Sequence, residues 1–572
     1  MTRERSLDRP EHRTAALLGV AAVIVGLSVA AWQSWTCDDA FISYRYAKNL
    51  VLGHGLVFNV GERVEGYTNL LWTLWVAVGL RLGAGPEGWT GASGLVCHAV
   101  TLVLLLAFHL SLRRRLPVTR ATLPVACLAA AVHPDFASFA TGGLETAAFT
   151  ATVCVAYFLL ARGLLSGKNT PFLAGIALGL SSTLRPDGVV FAGAAFVALV
   201  LLGERKVRVL ATFGVTVAAF SVAVTAFRLA YYDAWFPNTY YAKSAYLTWH
   251  SQGLVYLYSY LHKYWVLFAG AGFAAFALRR PSTLALDEDG ERFFRVHVTL
   301  SALFALFYGY YVVRVGGDFM YARLLIPVTP YLAILLELGL YRFSRSRPVA
   351  YLELVALALG LMLLTPRPVT DADWLSGIAD ERGVYSDKRV VEDARKSEIL
   401  ARFFRGLPVR LAFLGTEARV MYEADIPVAI EADTGLTDRT IARQPLAKRG
   451  RIGHEKRASV PYLVGTRAAH FLFAPRGPEE LGLSTYIPVL RITLGTLDGF
   501  ILHWDDGMMR DLRARGASFQ DFPEYLDQYI QGIGSRPRAD VARDYERFRL
   551  FYFDHQKDDR RKAAFEARLA QP

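Results

Sequence analysis

The sequence predicts a polytopic α-helical membrane protein with a soluble C-terminal α/β domain, and three observations predict it. Of 572 residues, 53% are hydrophobic and 13% aromatic, and the mean hydropathy is +0.27, too apolar for soluble domains of that length. Charged residues make up 20% of the chain and are sparse through residue 365, whereas 366–572 reads as ordinary globular sequence. The apolar residues of the first part gather in runs that approach the ~20 residues a membrane helix needs. These readings set the expected domains at 1–365 and 366–572. The formal charge of +12 (63 Lys and Arg against 51 Asp and Glu) would suit a nucleic-acid partner in a soluble protein. Cytoplasmic loops of membrane proteins carry the same excess, so its placement decides.

The polar leader 1–13 holds four arginines, and the apolar run 14–32 has no small-residue cleavage site after it. It reads as a first transmembrane helix, not a removable signal. Further runs near 95–111, 120–133, 145–161, 171–184, 188–202, 209–229, 264–278, 296–313, 324–340 and 349–365 bring the expected spans to eleven. Of these, 120–133, 171–184 and 188–202 are short enough to be candidates for partly re-entrant segments. The stretch 67–82 is a twelfth apolar run.

Charge arbitrates. With a cytoplasmic N-terminus and 67–82 dipping in without crossing, the inside segments collect Arg3, Arg5, Arg9, Arg13, Arg113, Arg114, Arg115, Arg120, Arg162, Lys168, Arg205, Lys206, Arg208, Arg279, Arg280, Arg292, Arg295, Arg342, Arg345 and Arg347. Outside stand only Arg45, Lys48, Arg63, Arg81, Arg185, Lys243, Lys263, Arg314 and Arg323. The positive-inside rule favours this arrangement, and it places the tail outside the cytoplasm. The basic excess then reports topology, and no nucleic-acid partner is expected. The four cysteines, Cys37, Cys97, Cys127 and Cys154, lie in or beside the spans, with no disulfide framework, CxxC or Cys/His metal spacing. Gly316-Gly317-Asp318 lacks the context and the lysine of a phosphate-binding loop.

The polar residues of the outer loops fall into five groups: Asp38 to Asn69, with Asp38, Asp39, Tyr44, Arg45, His54, Glu65, Tyr67 and Asn69; His133 to Thr146, with Asp135 and Glu145; Arg185-Pro186-Asp187; Trp235 to Lys243, with Asn238; and Arg314 to Arg323, with Asp318. Ionisable groups near membrane depth are costly and mark functional sites more often than chance, so the set is a better candidate than any member. Structural roles stand beside these. Asp38 and Asp39 also fit solvated loop residues. Arg185, Arg314 and Arg323 fit helix-end anchors. Tyr231, Tyr232, Trp235, Tyr240 and Tyr241 fit an interfacial belt, and Glu145 a helix-opening acid. Over 39–51, Ala40, Phe41, Tyr44, Ala47, Leu50 and Val51 recur with helical period, which predicts an amphipathic helix along the membrane interface. A carboxylate as general base on an acceptor hydroxyl, with Arg or Lys on a leaving phosphate, is the chemistry that suits lipid-linked substrates here.

The motifs DDAFISYRYAKNLVLGHGLVFNVGERVEGYTN (38–69), GLET (143–146), LRPDG (184–188), FPNTYYAK (236–243), GGDFMYARLLIP (316–327), GLTDRTIARQP (435–445) and GHEK (453–456) resemble membrane glycosyltransferases of the GT-C fold that use polyprenyl-phosphate sugars. They most resemble the terminal β-(1→2)-arabinofuranosyltransferase group and its bacterial relatives. The resemblance implies a GT-C-like membrane domain, a polyprenyl-phosphate sugar donor, a glycan or glycolipid acceptor, and a place in the bacterial cytoplasmic membrane for envelope synthesis. It implies that the catalytic base is an acidic residue of the first external loop, Asp38 or Asp39, with Asp38 the first choice and Asp39 a metal- or substrate-facing partner. A divalent cation, where the chemistry uses one, would have Asp38 and Asp39 as ligands. Arg45, Arg185, Lys243, Arg314 and Arg323 are then candidates for the lipid phosphate, and Glu65, Glu145 and Asp318 for sugar hydroxyls. Tyr44, His54, Tyr67, Asn69 and Asn238 complete the candidate substrate set.

In the tail, 390–404 reads as a helix, and 409–414, 427–431 and 469–473 read as strands of a small sheet. The loops Thr434 to Asp438 and His454 to Lys456 suit turns and helix caps more than acceptor binding, and 544–568 reads as a solvated helix. Two rivals to a transferase are a transporter or flippase of lipid-linked sugars and a non-catalytic envelope or flagellar assembly factor. Transporters place polar groups at mid-membrane in two related halves. Here the polar groups collect at one face, and no internal repeat is found.

Overall fold

Proline and glycine set where the apolar runs become helices. The computed structural model describes residues 10–119, 121–166, 170–203, 207–279, 286–368, 376–473, 487 and 490–571. Of the charges counted above, Arg3, Arg5, Arg9, Arg120, Lys168, Arg205, Lys206 and Arg280 lie outside the described residues. The helices run α1 (Pro10–Trp32), α2 (Asp38–Val51), α3 (Leu70–Arg81), α4 (Pro86–Arg115), α5 (Val125–Ala131), α6 (Pro134–Ser138), α7 (Thr146–Ser166), α8 (Thr170–Leu184), α9 (Gly188–Leu202), α10 (Val207–Tyr232), α11 (Asn238–Ala242), α12 (His250–Leu278), α13 (Glu288–Val315), α14 (Thr329–Ser346) and α15 (Pro348–Leu364).

Among the described residues, seven helical stretches are long and apolar enough to cross a membrane: Arg13–Trp32, Pro86–Arg115, Thr146–Ser166, Val207–Tyr232, His250–Leu278, Glu288–Val315 and Arg323–Ser346. The last joins a 3-10 turn, Arg323–Val328, to α14. The other expected spans are carried by shorter helices, including the three runs expected to be partly re-entrant. Helices α8 and α9 have 15 residues each and α15 has 17, rises of about 23 to 26 Å against a hydrocarbon core of about 30 Å. The run 120–133 carries only the seven-residue α5, because Pro124 sits at its N-cap and Pro134 opens the next short helix. The run 67–82 yields the twelve-residue α3, about 18 Å long.

Packing divides the chain into two units. The first is Met1–Ser43, Tyr67–Pro237 and Ala245–Tyr385; the second is Tyr44–Gly66, Asn238–Ser244 and Ser386–Pro572. The division falls at 385/386 and draws two loop segments together with the tail, where the sequence suggested a single cut at 365/366.

In the first unit α14 is the central helix, the apolar window of Arg323–Ser346 being 100% buried. Helix α12 crosses it at glycine: a Cβ at Gly270 would stand 2.6 Å from Leu336 Cα, and one at Gly339 would stand 2.6 Å from Gly270 O. Only small residues allow that approach, which is how helices associate where burial in lipid gives no driving force. Helix α14 also carries Glu337, buried among apolar side chains. Its two oxygens are matched: Ala126 N–H donates to one at 2.7 Å, and His109 Nδ1 lies 2.6 Å from the other. Glu337 therefore caps one of the first amides of α5, the helix that proline cut short. Helix α12 kinks at Tyr264, whose φ and ψ of −111° and 27° are not helical. There Lys263 Nζ donates to Thr365 O at 2.7 Å.

The second unit is built on a six-stranded mixed sheet, β1 (Arg410–Phe413), β2 (Val428–Glu431), β3 (Phe471–Phe473), β4 (Arg491–Leu494), β5 (Leu497–Ile501) and β6 (Ser518–Phe519), in the order β2-β1-β3-β5-β4-β6. Strand β1 pairs parallel with β2 and β3; the other pairs are antiparallel. The predicted helix 390–404 forms within Asp387–Phe404, and the three predicted strands appear as β1, β2 and β3. The expected solvated helix 544–568 does not form as one piece. It is Arg538–Phe548, a π-helical turn Arg549–Phe553, and Asp559–Ala570. Phe548, Phe551, Tyr552 and Phe565 are buried there with Phe522 and Tyr529, so aromatic packing outweighs the charge pattern. His470 and His503 stack at 4.4 Å, and His503 and His555 at 4.5 Å. Burial, with Arg410 and His555, holds His470 down at about 4, and burial, with His470 and His555, holds His503 at about 3.

Glu337→Leu leaves the Ala126 amide and His109 without their acceptor, at about 1–3 kcal/mol for each buried group. Thermal unfolding of the detergent-purified protein should show a lower midpoint, with Glu337→Gln falling less because its amide oxygen still accepts. The imidazoles give a second expectation. The unfolded chain, titrating near 6.5, binds protons that the folded His470 and His503 refuse, so their stabilisation is whole above 6.5 and is lost as pH falls towards 4 and 3. Buried Glu431, raised to about 7 from 4.5, acts in the opposite sense between those values. The stability read from hydrogen-exchange protection factors at β3 and β5 should therefore fall most steeply between about pH 4.5 and 4, where both imidazoles act without that opposition.

Candidate active site

Four loops of the first unit bring their charges together, and each is shaped locally to do so. At the α8 to α9 turn, a Cβ on Gly188 would meet Ser181 Oγ and Ser182 N at 2.7 Å, so the chain folds back tightly and Arg185 reaches Asp187 two residues on. Arg185 Nε and Nη2 donate to the two oxygens of Asp187 at 3.1 and 2.8 Å. The Tyr308 hydroxyl of α13 donates to the same carboxylate at 2.5 Å. The loop after α13 turns on Gly316 and Gly317, at φ of 91° and 77°, and enters the 3-10 turn through Ala322 at φ 64°. Tyr256 pins this loop, donating to Met320 O at 2.9 Å and accepting from Leu324 N at 3.1 Å. That presents Asp318 and Arg323. Glu145 directly precedes α7, and Asn69 stands at the N-cap position of α3 without bonding its amides, which leaves its side chain to the site.

These residues form one network. Ser43 Oγ donates to Asn69 Oδ1 at 3.1 Å, and Asn69 Nδ2 donates to Glu145 Oε2 at 2.9 Å. Glu145 Oε1 lies 3.3 Å from Arg323 Nη2 and 3.7 Å from Arg185 Nη1. Arg323 Nη1 is 3.5 Å from Asp318. Arg185 is thus clamped by short bonds, whereas Arg323 is held by long ones. Formally the network holds Glu145, Asp187 and Asp318 against Arg185 and Arg323.

Asp38 and Asp39 are the first two residues of α2, where the helix dipole favours acids. Asp38 is buried and Asp39 partly exposed. Tyr385 stacks on Trp35 at 6.0 Å, and burial first, then Cys37, Asp38, Glu381 and Asp39, pushes its hydroxyl up. Burial first, then Asp39 and Glu381, pushes the Cys37 thiol up. Asp39 also contributes to the field at Arg323, after Glu145 and Asp318, which links this member of the pair electrostatically to the network. Sequence reasoning left Asp187 and Glu381 out of the site. The spacing of Arg185 and Asp187 in LRPDG was a usable signal; nothing local marks Glu381. A second polar group was also missed: Arg367 pairs with Asp135 at 2.8 Å and with Asp380, and Tyr264 donates to Asp135. Among the described residues no group of three or more His, Cys, Asp or Glu side chains is disposed to hold a metal ion, so no step is derived through a cation at Asp38 and Asp39.

The comparisons with known proteins fit this architecture. No family model matches the chain. Terminal β-(1→2)-arabinofuranosyltransferases of Mycobacterium tuberculosis and Corynebacterium glutamicum are 31% and 30% identical to it over 359 and 355 residues. Those matches cover 57% and 56% of this chain, and 56% and 50% of the relatives. The chain thus spans about half the length of the curated relatives it matches. Among solved structures, the crystal structure of ArnT from Cupriavidus metallidurans bound to undecaprenyl phosphate superposes with a TM-score of 0.50 at 13% identity, covering 74% of this chain and 86% of that one. The chain shares the ArnT fold. The GT-C-like membrane architecture and the likeness to arabinofuranosyltransferases that the motifs suggested are both borne out.

Within this ArnT-like chain, the first unit gathers Asp38, Asp39, Asn69, Glu145, Arg185, Asp318 and Arg323 of the expected residues. Tyr67 instead bonds Tyr232 through its hydroxyl at 3.0 Å, and Arg314 is exposed at the C-terminus of α13. The other expected residues belong to the second unit, and most of them are structural ties. Arg45 is not on a phosphate. Its guanidinium donates to Phe58 O at 2.7 Å, Ile426 O at 2.6 Å and Met421 O at 3.2 Å, and burial brings its pKa down to about 10. Asn238 donates to Gly435 O and Leu436 O, each at 2.8 Å. Tyr44 packs edge-on against Tyr422 at 6.3 Å, and buried Glu65 accepts the Asn238 amide on its backbone carbonyl at 2.9 Å. His54 is exposed on a turn, and Lys243 runs beside Gly453. The tail loops follow suit: Asp438 caps Arg439–Ala442, and Lys456 Nζ donates to Tyr241 O at 2.6 Å. The expected amphipathic helix exists as α2, with Ala40, Phe41, Tyr44, Arg45, Tyr46 and Ala47 buried and Ile42, Lys48, Leu50 and Val51 partly exposed.

Arg45→Lys removes a fork that no ammonium reproduces and leaves buried carbonyls without a donor, about 1–3 kcal/mol for each. The tail should become more protease-sensitive and melt earlier in this variant, while Arg314→Ala, at an exposed position, should change stability by less than about 0.5 kcal/mol.

Proposed function

We propose that this chain is a membrane glycosyltransferase that moves a sugar, arabinofuranose on the strength of its relatives' names, from a polyprenyl-phosphate donor to an extracytoplasmic glycan or glycolipid in cell-envelope synthesis. The observation that carries the reading is the carboxylate pair opening α2, of which Asp39 acts on the field at Arg323 beside the network of Glu145 and Asp318, in a chain with the ArnT fold. Asp38 is the general base, with Asp39 beside it. The base takes the proton of an acceptor hydroxyl, the hydroxyl oxygen bonds the anomeric carbon, and the bond from that carbon to the phosphate oxygen breaks. The departing polyprenyl phosphate takes the electron pair. Positive charge grows on the sugar in such a transition state, and a carboxylate-rich network stabilises it. Arg323, with contacts of 3.3 to 3.6 Å, is the guanidinium able to turn towards the leaving phosphate.

On this reading residues 1–365 carry the chemistry in the bacterial cytoplasmic membrane, the N-terminus is cytoplasmic and the tail extracytoplasmic. The test is transfer of radiolabelled arabinose from its polyprenyl phosphate by the purified full-length protein. Asp38→Asn should lower the rate by about 10²–10⁴-fold and Asp39→Asn by at least about tenfold. No transfer by wild type, or undiminished transfer in both variants, rejects the enzyme. Cysteines introduced into 52–62 should label only from the outside.

A further inference from the structure

Asp187 claims all of Arg185 except one corner. Its carboxylate accepts Nε at 3.1 Å and Nη2 at 2.8 Å, and the guanidinium face lies over the Phe149 ring at 5.1 Å. The Tyr308 hydroxyl, at 2.5 Å, fixes the carboxylate from the other side. Arg185 is 7% exposed, yet its Nη1 has no hydrogen-bond partner. That atom faces Glu145 Oε1 at 3.7 Å, too far for a hydrogen bond. An oxygen about 2.8 Å from each closes the triangle.

The atom that fits there must accept from Nη1 and donate to Glu145. A hydroxyl does both. A phosphate oxygen only accepts, and it would bring its charge against Glu145, Asp187 and Asp318, three carboxylates that pair, among the described residues, with Arg185 and Arg323. We propose that the notch between Arg185 Nη1 and Glu145 Oε1 is a subsite for a hydroxyl of the donor sugar rather than for the lipid phosphate, with Asp187 and Tyr308 as the positioning residues that aim it. This removes Arg185 from the phosphate-binding set, and it rests on the reading above only in taking a lipid-linked sugar as ligand.

The test is binding, measured on the full-length protein in nanodiscs with two probes: polyprenyl-phosphoryl arabinofuranose, and the same polyprenyl phosphate without sugar. Glu145→Gln and Asp187→Asn should weaken the sugar-bearing probe at least about tenfold and leave the bare phosphate within about twofold. Tyr308→Phe, which keeps the ring and removes one hydrogen bond, should show a smaller loss of the same kind, and Asp187→Glu should recover part of the binding. Equal loss for both probes places the phosphate on Arg185 and overturns the proposal. So does unchanged binding of both, which makes the notch a water site only, or a wild type that binds the sugar-bearing lipid no tighter than the bare one. If wild type prefers the sugar-bearing lipid but transfers nothing, the enzyme reading fails while the subsite stands.

Discussion

A carboxylate enclosed by apolar helices has to be matched by a donor or a cation, because its desolvation is otherwise not recovered. That constraint organises the first unit. Glu337 is fully matched, by the Ala126 amide and His109, and the result is purely architectural: it lets a helix begin inside the bundle where proline ended the previous run. Asp187 is fully matched by Arg185 and Tyr308. Glu145 and Asp318 are each matched on one oxygen, by Asn69 Nδ2 and the Phe319 amide at 2.9 Å, while the other oxygen meets only long contacts to arginine. The difference in completeness separates scaffold from candidate site more sharply than the presence of charge does.

The second unit follows the same rule with backbone groups. Loop segments 44–66 and 238–244 are held against the tail by side chains that satisfy buried carbonyls and amides: Arg45, Asn238, Lys456, and Asn59, which both donates to Ala429 O at 2.9 Å and accepts from Ala429 N at 3.0 Å. Residues in long polar motifs were therefore of two kinds. Asp38 and Asp39 open a helix in one unit, while Arg45, six positions on in the same helix, ties down the other.

Much of the fold was legible because its signals are local. Apolar runs gave helices at nearly every expected place, and β-branched and aromatic runs gave β1, β2 and β3. Lengths were less legible, since Pro124 and Pro134 break a run that hydropathy alone reads as continuous. The tail end, 544–568, misled for the converse reason: its charges line the outside of helices whose aromatic residues form a shared core. In the site, Asp38, Asp39, Glu145, Asp318 and Arg323 were found as polar residues in apolar surroundings. Arg45 was misassigned because a guanidinium looks the same in sequence whether it awaits a phosphate or serves three carbonyls.

The sequence by itself determined that this is a helical membrane chain, where its polar loops lie and which of them carry acid. Those properties follow from composition within a few turns of chain. Tertiary structure alone decided which charge answers which: Glu145, Arg185 and Arg323 are far apart in sequence yet meet at 3.3 to 3.7 Å. Pairing depends on distance and direction between separate loops, and neither is written in the spacing along the chain.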